Sequence, residues 1–219
     1  MPSKKSKSRS AQSRCRRDLI LLVCVLFVGI FFWLDRSYIA KTWQQRPEAS
    51  ERSAISDFER YHDKTFTVVN VVDGDTIDID APDGSYQTTR IRFWGVDTPE
   101  TKNPRTGTMY FGPEAAEFTK KLALGKKIII YLDENNNTRG KYGRLLAYIQ
   151  LEDRNFLNEV LLKEGFAYAD LRFRHSFYNR YKQLEAAARG QKKGLWLNVT
   201  RRQLPLWLQK EKPSLLRKN

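Results

Sequence analysis

The chain has 219 residues and a formal net charge of +14, from 39 Lys and Arg against 25 Asp and Glu. Its two cysteines, Cys15 and Cys24, both lie near the N-terminus, which excludes disulfides and thiol catalysis from the rest of the chain. The roughly 155 residues from Lys64 onward suit one domain with a single core.

The N-terminal region combines a basic tail with an apolar run. Residues 1–18 hold seven Lys and Arg and are predicted to form a solvated cytoplasmic tail, whereas residues 19–34 carry no charge. As a helix this run would extend about 24 Å, somewhat short of the roughly 30 Å hydrocarbon core of a bilayer. The basic residues before it, and Trp33, Tyr38 and Trp43 at its far end, favour a transmembrane anchor whose N-terminus stays cytoplasmic.

Other interpretations of residues 19–34 stay open. A cleaved signal peptide fits the length, although the cleavage pattern after the run is weak, and a buried helix would need a partner surface. A mitochondrial transit sequence is disfavoured by the apolar run itself. If residues 19–34 are an anchor, the chain is a single-pass membrane protein with its folded domain outside the cytoplasm. If this segment is cleaved, the folded domain is secreted. Residues 35–63 are predicted to be a polar linker.

Short β-strands are predicted from residue 64 onward. Phe66–Val72 and Thr76–Asp80 are rich in β-branched residues, and Gln87–Val96 follows as a strand after a Pro-Asp-Gly turn. The later predicted elements are strands Lys127–Leu132 and Leu145–Leu151 and helices Pro113–Leu124, Phe156–Gly165 and Tyr178–Gly194. This order predicts an α+β, mainly β fold over residues 64–197, a five-stranded barrel with three helices. A basic C-terminal tail is predicted at residues 198–219.

Two acidic clusters, Asp73–Thr76 and Asp97–Glu100, are predicted on separate strands of this barrel. Asp75 and Asp97 have no obvious structural role, since Asp is disfavoured in strands and converging carboxylates without a cation would raise one pKa. A set of oxygen ligands without Cys or His suits a hard cation, Ca²⁺ or Mg²⁺, better than zinc. The two histidines, His62 and His175, have no partner pattern and are predicted to lie at the surface. Taken singly, each acidic cluster is more often an ordinary polar turn.

Basic residues near the acidic clusters predict an anion-binding site. Arg92 lies on the strand between the acidic clusters, and Arg144 at a strand start offers a planar guanidinium to phosphate oxygens. The alternative interpretation is that Arg144 forms a surface ion pair with Asp133 or Glu134. Residues 171–202 hold nine basic residues and one acid, with aromatic residues between them. This composition suits a polyanion, a membrane surface or a solvated helix face.

Four motifs in this order resemble the staphylococcal nuclease (thermonuclease) family. They are Asp73-Gly-Asp-Thr, Arg92 five residues before Asp97, the run Asp97-Thr-Pro-Glu-Thr-Lys-Asn-Pro, and Lys141-Tyr-Gly-Arg144. The resemblance covers roughly residues 66–196 and implies the OB fold. It implies a calcium-dependent nuclease that hydrolyses phosphodiester bonds of single-stranded or unstructured DNA and RNA and leaves 3′-phosphates. Nothing in the sequence indicates an oligomer.

The resemblance also implies a role for each matched residue. The carboxylates of Asp75 and Asp97 and the backbone carbonyl of Thr98 would bind Ca²⁺. Glu100 would orient or deprotonate the attacking water. The remaining matched residues are Arg92 and Arg144, which would neutralise charge on the phosphorus, and Tyr142, which would hydrogen-bond a terminal phosphate.

The sequence departs from the family pattern at the base pocket. Where related nucleases carry a pair of tyrosines, alignment from Gly165 places Leu171 and Phe173. The predicted nucleotide-binding surface therefore keeps part of its stacking area and loses both hydroxyl groups. Base preference is the property that this change affects.

The alternative to an enzyme is a catalytically silent OB module that tethers nucleic acid or a protein partner at a membrane. Such modules typically lose an acidic ligand or one of the two arginines. This chain keeps all of them, Asp75, Asp97, Glu100, Arg92 and Arg144, and the complete set favours an active nuclease.

Overall fold

A closed five-stranded β-barrel forms the centre of the computed structural model, which describes residues 54, 56–102, 107–213 and 215–216. Its strands are β1 (Lys64–Asp73), β2 (Thr76–Ile79), β3 (Thr89–Phe93), β5 (Lys127–Tyr131) and β6 (Leu145–Gln150), in the order β1-β2-β3-β6-β5. Two short strands, β4 (Val96–Asp97) and β7 (Tyr168–Ala169), pair in a separate small sheet. The predicted barrel is thus confirmed, in an arrangement consistent with the OB fold.

The strand register determines where the charged residues of β3 lie. β2 and β3 pair in antiparallel orientation with Thr76 opposite Arg92, so Arg92 lies beside the residue that precedes β2, Asp75. Side chains alternate along a strand. Ile91 and Phe93 are therefore buried in the core while Arg92 points to the other face of β3.

The three predicted helices are confirmed, the first shifted by one residue and the other two shorter than predicted. They are α1 (Gly112–Ala123), α2 (Leu157–Lys163) and α3 (Tyr178–Gly190). α3 was predicted to continue to Gly194, but it ends at Gly190 and Gly194–Leu197 forms a 3₁₀ helix. Lys192, between these elements, has a φ of 54°, which a right-handed helix does not accommodate.

The predicted strand Gln87–Val96 is divided in two. A turn at Trp94 and Gly95 separates β3 from β4, and β4 leaves the barrel to pair with β7. Gly95 has a φ of +74°, and a Cβ there would lie 2.4 Å from Cε1 of His175. A side chain at this position would therefore collide with a buried ring, and the turn lets β4 leave the barrel and pair with β7.

Residues 198–219 were predicted to be a basic tail, yet residues 201–211 fold onto the domain. Arg201–Gln203 is a 3₁₀ helix and Leu206–Glu211 is a short helix, α4. Leu204 and Leu208 are buried in a second apolar cluster with Tyr168 and Trp196. Leu208 lies on α4 and Leu204 lies just before this helix, so both parts of the segment are fixed to the domain.

Most residues of the predicted tail, anchor and linker lie outside the part of the chain that the structure describes. The predicted anchor, residues 19–34, lies outside the described residues, and none of the described helices is long and apolar enough to cross a membrane. The predicted linker is described only near its end, where residues 56–61 are helical. There Tyr61 is buried and hydrogen-bonds Thr89, while Asp57 pairs with Arg139. The folded domain therefore begins before Lys64.

A buried polar network joins β6 to the start of α3. The Asp133 carboxylate accepts hydrogen bonds from the Tyr148 hydroxyl at 2.6 Å and from the Ser176 backbone N–H at 2.8 Å. His175, predicted at the surface, is instead buried with Nδ1 3.2 Å from the Tyr148 oxygen. Burial alone would raise the pKa of Asp133, but the hydrogen bonds from Tyr148, Ser176 and Asn136 outweigh it and lower that pKa to about 2.

We expect Asp133→Asn to lower the free energy of unfolding at pH 7 by about 2 kcal/mol, because the folded state loses a carboxylate of depressed pKa. Since the folded pKa lies below the ordinary value of 3.8, this stabilisation is present above about pH 4 and is lost as the pH falls toward 2. Urea denaturation at pH 7 and pH 3 measures the effect.

The matched control is Glu134→Gln, a neighbouring exposed acid that should leave stability unchanged. The difference between wild type and Asp133→Asn should shrink at pH 3. A difference of the same size at both pH values would contradict the assignment.

Candidate active site

A cleft of about 1540 Å³ holds eight of the nine predicted site residues. They come from the turn before β2, from β3, from the segment around β4, from the turn before β6 and from the segment after β7. The residues concerned are Asp75, Arg92, Asp97, Thr98, Glu100, Tyr142, Arg144 and Phe173. Leu171, the ninth, does not line this cleft.

The two acidic clusters meet at Asp75. This side chain is 4% exposed, and its Oδ2 accepts hydrogen bonds from the backbone N–H of Thr98 at 2.7 Å and from the Thr98 hydroxyl at 2.9 Å. Gly74 permits the approach, because a Cβ there would lie 2.8 Å from the Thr98 hydroxyl oxygen. The structure therefore brings Asp75 and Thr98 together across the 23 residues that separate them.

The Arg92 guanidinium lies between two carboxylates. It contacts Oδ2 of Asp75 and Oδ1 of Asp97, and all three side chains are largely buried. The same guanidinium thus contacts both aspartates in this structure. Removal of Arg92 would leave the buried Asp75 carboxylate without its ion-pair partner, a change that is strongly destabilising.

The second oxygen of Asp97 is held by residues that the sequence analysis missed. The indole N–H of Trp207 donates to Oδ2 at 2.7 Å, and an Arg172 nitrogen lies 3.9 Å from the same oxygen. Arg172 is itself held by two hydrogen bonds to Asp170, at 2.8 and 2.7 Å. The only local signal was the apolar run around Trp207, which argues against a solvated tail.

Glu100 lines the cleft and is exposed to solvent. Partial burial raises the pKa of its carboxyl, and the negative charges of Asp73 and Asp97 raise it further, against an opposing effect of Arg92. A carboxyl with a raised pKa is a better proton acceptor in its ionised form. The local field therefore suits Glu100 to take a proton.

Arg144 enters the cleft from a tight turn. The turn is closed by a hydrogen bond from Gly140 N–H to the Arg144 carbonyl at 2.9 Å, and Gly143 within it has a φ of +75°. No ion pair of Arg144 with Asp133 or Glu134 forms. Burial lowers the pKa of Arg144, and so does the positive charge of Arg92. An electrostatically unfavourable cation of this kind is suited to bind an anion.

Tyr142 and the predicted base-pocket residues differ in exposure. Tyr142 is 77% exposed, with its ring centroid 5.7 Å from the Arg144 guanidinium carbon. Phe173 is 53% exposed and its ring lies 6.2 Å from that of Trp94. Leu171 packs partly buried against the core. The structure therefore offers Phe173, and not Leu171, as a stacking surface in the cleft.

The carboxylate oxygens of the acidic residues are ligands that suit a hard divalent cation. Among the described residues no three His, Cys, Asp or Glu side chains are grouped closely enough to hold a metal, and Asp75 and Asp97 share Arg92 instead. However, both aspartates line the cleft with Glu100 and Asp73. Burial raises the pKa of Glu100, and repulsion from Asp73 and Asp97 raises it further. A divalent cation would relieve this repulsion, provided that Arg92 leaves the two aspartates.

Comparison with known proteins agrees with this geometry. Residues 90–198 match the family model described as staphylococcal nuclease homologue. The chain is 40% identical over 138 residues to a thermonuclease of Staphylococcus hyicus, across 63% of this chain and 78% of that protein. It is 39% identical over 142 residues to a thermonuclease of Staphylococcus intermedius, across 64% and 77% of the two chains. It is 33% identical over 132 residues to endonuclease YncB of Bacillus subtilis, across 59% and 60%. With the closed barrel, these matches establish that the chain belongs to the family of staphylococcal nuclease homologues.

Proposed function

We propose that this protein is a calcium-dependent nuclease that hydrolyses phosphodiester bonds of DNA and RNA. The observation that carries the proposal is the meeting of Asp75, Asp97 and Glu100 with Arg92 and Arg144 in one cleft. The relatives are a thermonuclease in two species and an endonuclease in a third, which supports the same class of reaction. A cleft that combines acids with guanidinium groups can bind a phosphate and supply a base beside it.

The phosphate of the substrate is the ligand that the two arginines suit. Arg144 lacks an ion pair with any described residue, and Arg92 gains a new anionic partner when a phosphate enters. As the phosphorus becomes five-coordinate, negative charge builds on its oxygens, and fixed guanidinium groups stabilise that charge most strongly. Tyr142 is highly exposed next to Arg144 and would hydrogen-bond a terminal phosphate.

Glu100 is the group proposed to accept the proton of the attacking water. The water oxygen forms a bond to phosphorus, one of its protons passes to Glu100, and the bond from phosphorus to the 5′ oxygen breaks. The leaving 5′ oxygen takes up a proton from solvent. One fragment then carries a 3′-phosphate and the other a 5′-hydroxyl. The raised pKa of Glu100 brings its basicity closer to that required near neutral pH.

Asp75, Asp97 and the carbonyl oxygen of Thr98 are the groups that would hold Ca²⁺. When bound, the ion would supply positive charge to the phosphoryl oxygens as negative charge develops on them. Arg92 must release Asp75 and Asp97 for this, and a phosphate in the cleft gives its guanidinium an alternative partner. Cation binding and substrate binding are therefore expected to favour each other.

The proposal includes a location. Residues 19–34 form an uncharged run after seven basic residues, which favours a membrane anchor with the N-terminus cytoplasmic and the nuclease domain on the other side. Protease treatment of intact and of opened membrane vesicles tests this orientation. Release of the domain by carbonate washing would contradict the anchor and favour cleavage of the segment.

The metal requirement is tested with the full chain, purified in a non-ionic detergent because of its apolar run. We expect it to cut end-labelled single-stranded DNA in Ca²⁺ and to lose this activity when the calcium chelator EGTA is added. Mg²⁺ at the same concentration should support less cleavage, since it demands near-octahedral geometry and dehydrates reluctantly.

The products provide a second, independent measurement. Phosphatase treatment should change the gel mobility of fragments that end in a 3′-phosphate. Cleavage that persists in EGTA would contradict the role of calcium, and fragments with 5′-phosphates would contradict the proposed bond that breaks.

A further inference from the structure

The C-terminal segment, defined here as residues 201–211, forms one wall of the cleft. It lies beyond residues 90–198, which match the family model. Leu204 and Leu208 are buried and fix the segment to the domain, while Trp207 between them lines the cleft. The C-terminal segment is therefore an ordered part of the cleft, and Trp207 is the aromatic side chain that it contributes.

Trp207 touches the proposed calcium site through Asp97. Its indole N–H donates to Oδ2 of Asp97 at 2.7 Å, whereas Oδ1 of the same carboxylate contacts Arg92. An indole N–H can only donate, so the Oδ2 atom that it contacts acts as the acceptor. One oxygen of Asp97 therefore contacts the C-terminal segment, and the other contacts Arg92.

Arg172 fixes the orientation of the indole. Its guanidinium carbon lies 4.4 Å from the centroid of the Trp207 ring, a distance at which a cation and an aromatic face attract each other. Two hydrogen bonds to Asp170 hold Arg172 in place. Trp207 is therefore held from both sides, by Asp97 at its N–H and by Arg172 at its face.

We propose that Trp207 is a positioning residue for the calcium site. By holding Oδ2 of Asp97, it directs Oδ1 toward the position that the Arg92 guanidinium occupies in this structure. Partners that hydrogen-bond a metal ligand fix its orientation, and their loss typically weakens metal affinity about 10- to 100-fold. The inference rests on the proposed function, since it concerns the cation that Asp97 would bind.

Trp207→Phe removes the N–H donor and keeps an aromatic ring. We expect the full chain with this substitution to bind Ca²⁺ about 10- to 100-fold more weakly than wild type. Isothermal calorimetry in detergent, without nucleic acid, measures this affinity independently of activity. The cleavage rate should return toward that of wild type when the Ca²⁺ concentration is raised, because the substitution acts on metal binding.

Two further variants separate the hydrogen bond from packing. Replacement of Trp207 by 3-benzothienylalanine keeps the shape of the side chain and removes only the N–H, so it should weaken Ca²⁺ binding as Trp207→Phe does. Leu206→Ala, at an exposed neighbour in the same helix, should leave the affinity unchanged. Thermal unfolding in EGTA shows whether each variant is folded.

The outcomes distinguish this inference from the proposed function. If wild type binds no Ca²⁺, the calcium-dependent function fails and the inference fails with it. If wild type binds Ca²⁺ and the benzothienyl variant binds it equally well, the inference is overturned while the function stands. Equal losses in Leu206→Ala and Trp207→Phe would also overturn it, because they would show a general disturbance of the segment.

Discussion

Arg144→Ala is expected to lower the rate of phosphodiester cleavage by about 10³-fold or more, the effect typical of removing an arginine that stabilises a phosphoryl transition state. Arg144 makes no ion pair with the described residues, and burial and the charge of Arg92 lower its pKa. The substitution therefore breaks no internal salt bridge. The free energy of unfolding should stay close to that of wild type, or rise slightly as the repulsion from Arg92 is removed.

Single-turnover cleavage at saturating Ca²⁺, with urea denaturation beside it, measures both effects of Arg144→Ala. Arg144→Lys is the matched control, because it keeps the positive charge and loses the planar fork that binds two phosphate oxygens. Its rate should fall between those of wild type and Arg144→Ala. An unchanged rate in Arg144→Ala, or a loss of stability without a loss of rate, would contradict the phosphate role.

Asp75→Asn is expected to abolish calorimetric Ca²⁺ binding and to lower cleavage by about 10³-fold, since a metal ion supplies several kcal/mol of transition-state stabilisation. Asn has nearly the same shape as Asp, so it can still accept a hydrogen bond from Thr98. The substitution removes one negative charge and one potential metal ligand. Because Asp75 is also a buried partner of Arg92, the substitution should lower stability as well. Ca²⁺ affinity and cleavage rate are therefore measured below the melting temperature of the variant.

Asp78→Asn is the matched control for Asp75→Asn. Asp78 is a buried aspartate three residues further along, but it pairs with Arg90 at 2.8 Å and hydrogen-bonds Asn70 at 3.0 Å. Its substitution should lower stability and leave Ca²⁺ affinity and cleavage unchanged below the melting temperature. Equal effects of the two substitutions on calcium binding would contradict the assignment of Asp75 as a ligand.

The barrel and its acidic cleft were predictable because local patterns determine them. The strands predicted from the β-branched runs of β1, β2 and β5 and from the apolar run of β6 match the observed strands to within two residues. Asp75 immediately before β2 and Arg92 on β3 become neighbours through ordinary antiparallel pairing. Short-range alternation and turn chemistry are sufficient for this part of the site.

The remaining features depend on contacts between distant parts of the chain. Trp207 reaches Asp97 across 110 residues, and no motif in either segment indicates the partner. His175 sits among basic residues in the sequence, yet it is buried against Gly95 and Tyr148. The break between β3 and β4 at Gly95 follows from this close approach, so the sequence alone predicted one continuous strand.

Cleavage of single-stranded DNA by the full chain in a Ca²⁺ buffer tests the central claim most directly, beside a variant that carries both Asp75→Ala and Glu100→Ala. We expect wild type to cut the DNA, and the folded double variant to bind it in EGTA and leave it intact in Ca²⁺. Folded wild-type protein that binds DNA without cutting it would contradict the claim and favour a silent tethering module. Equal cleavage by the double variant would place the chemistry outside this cleft.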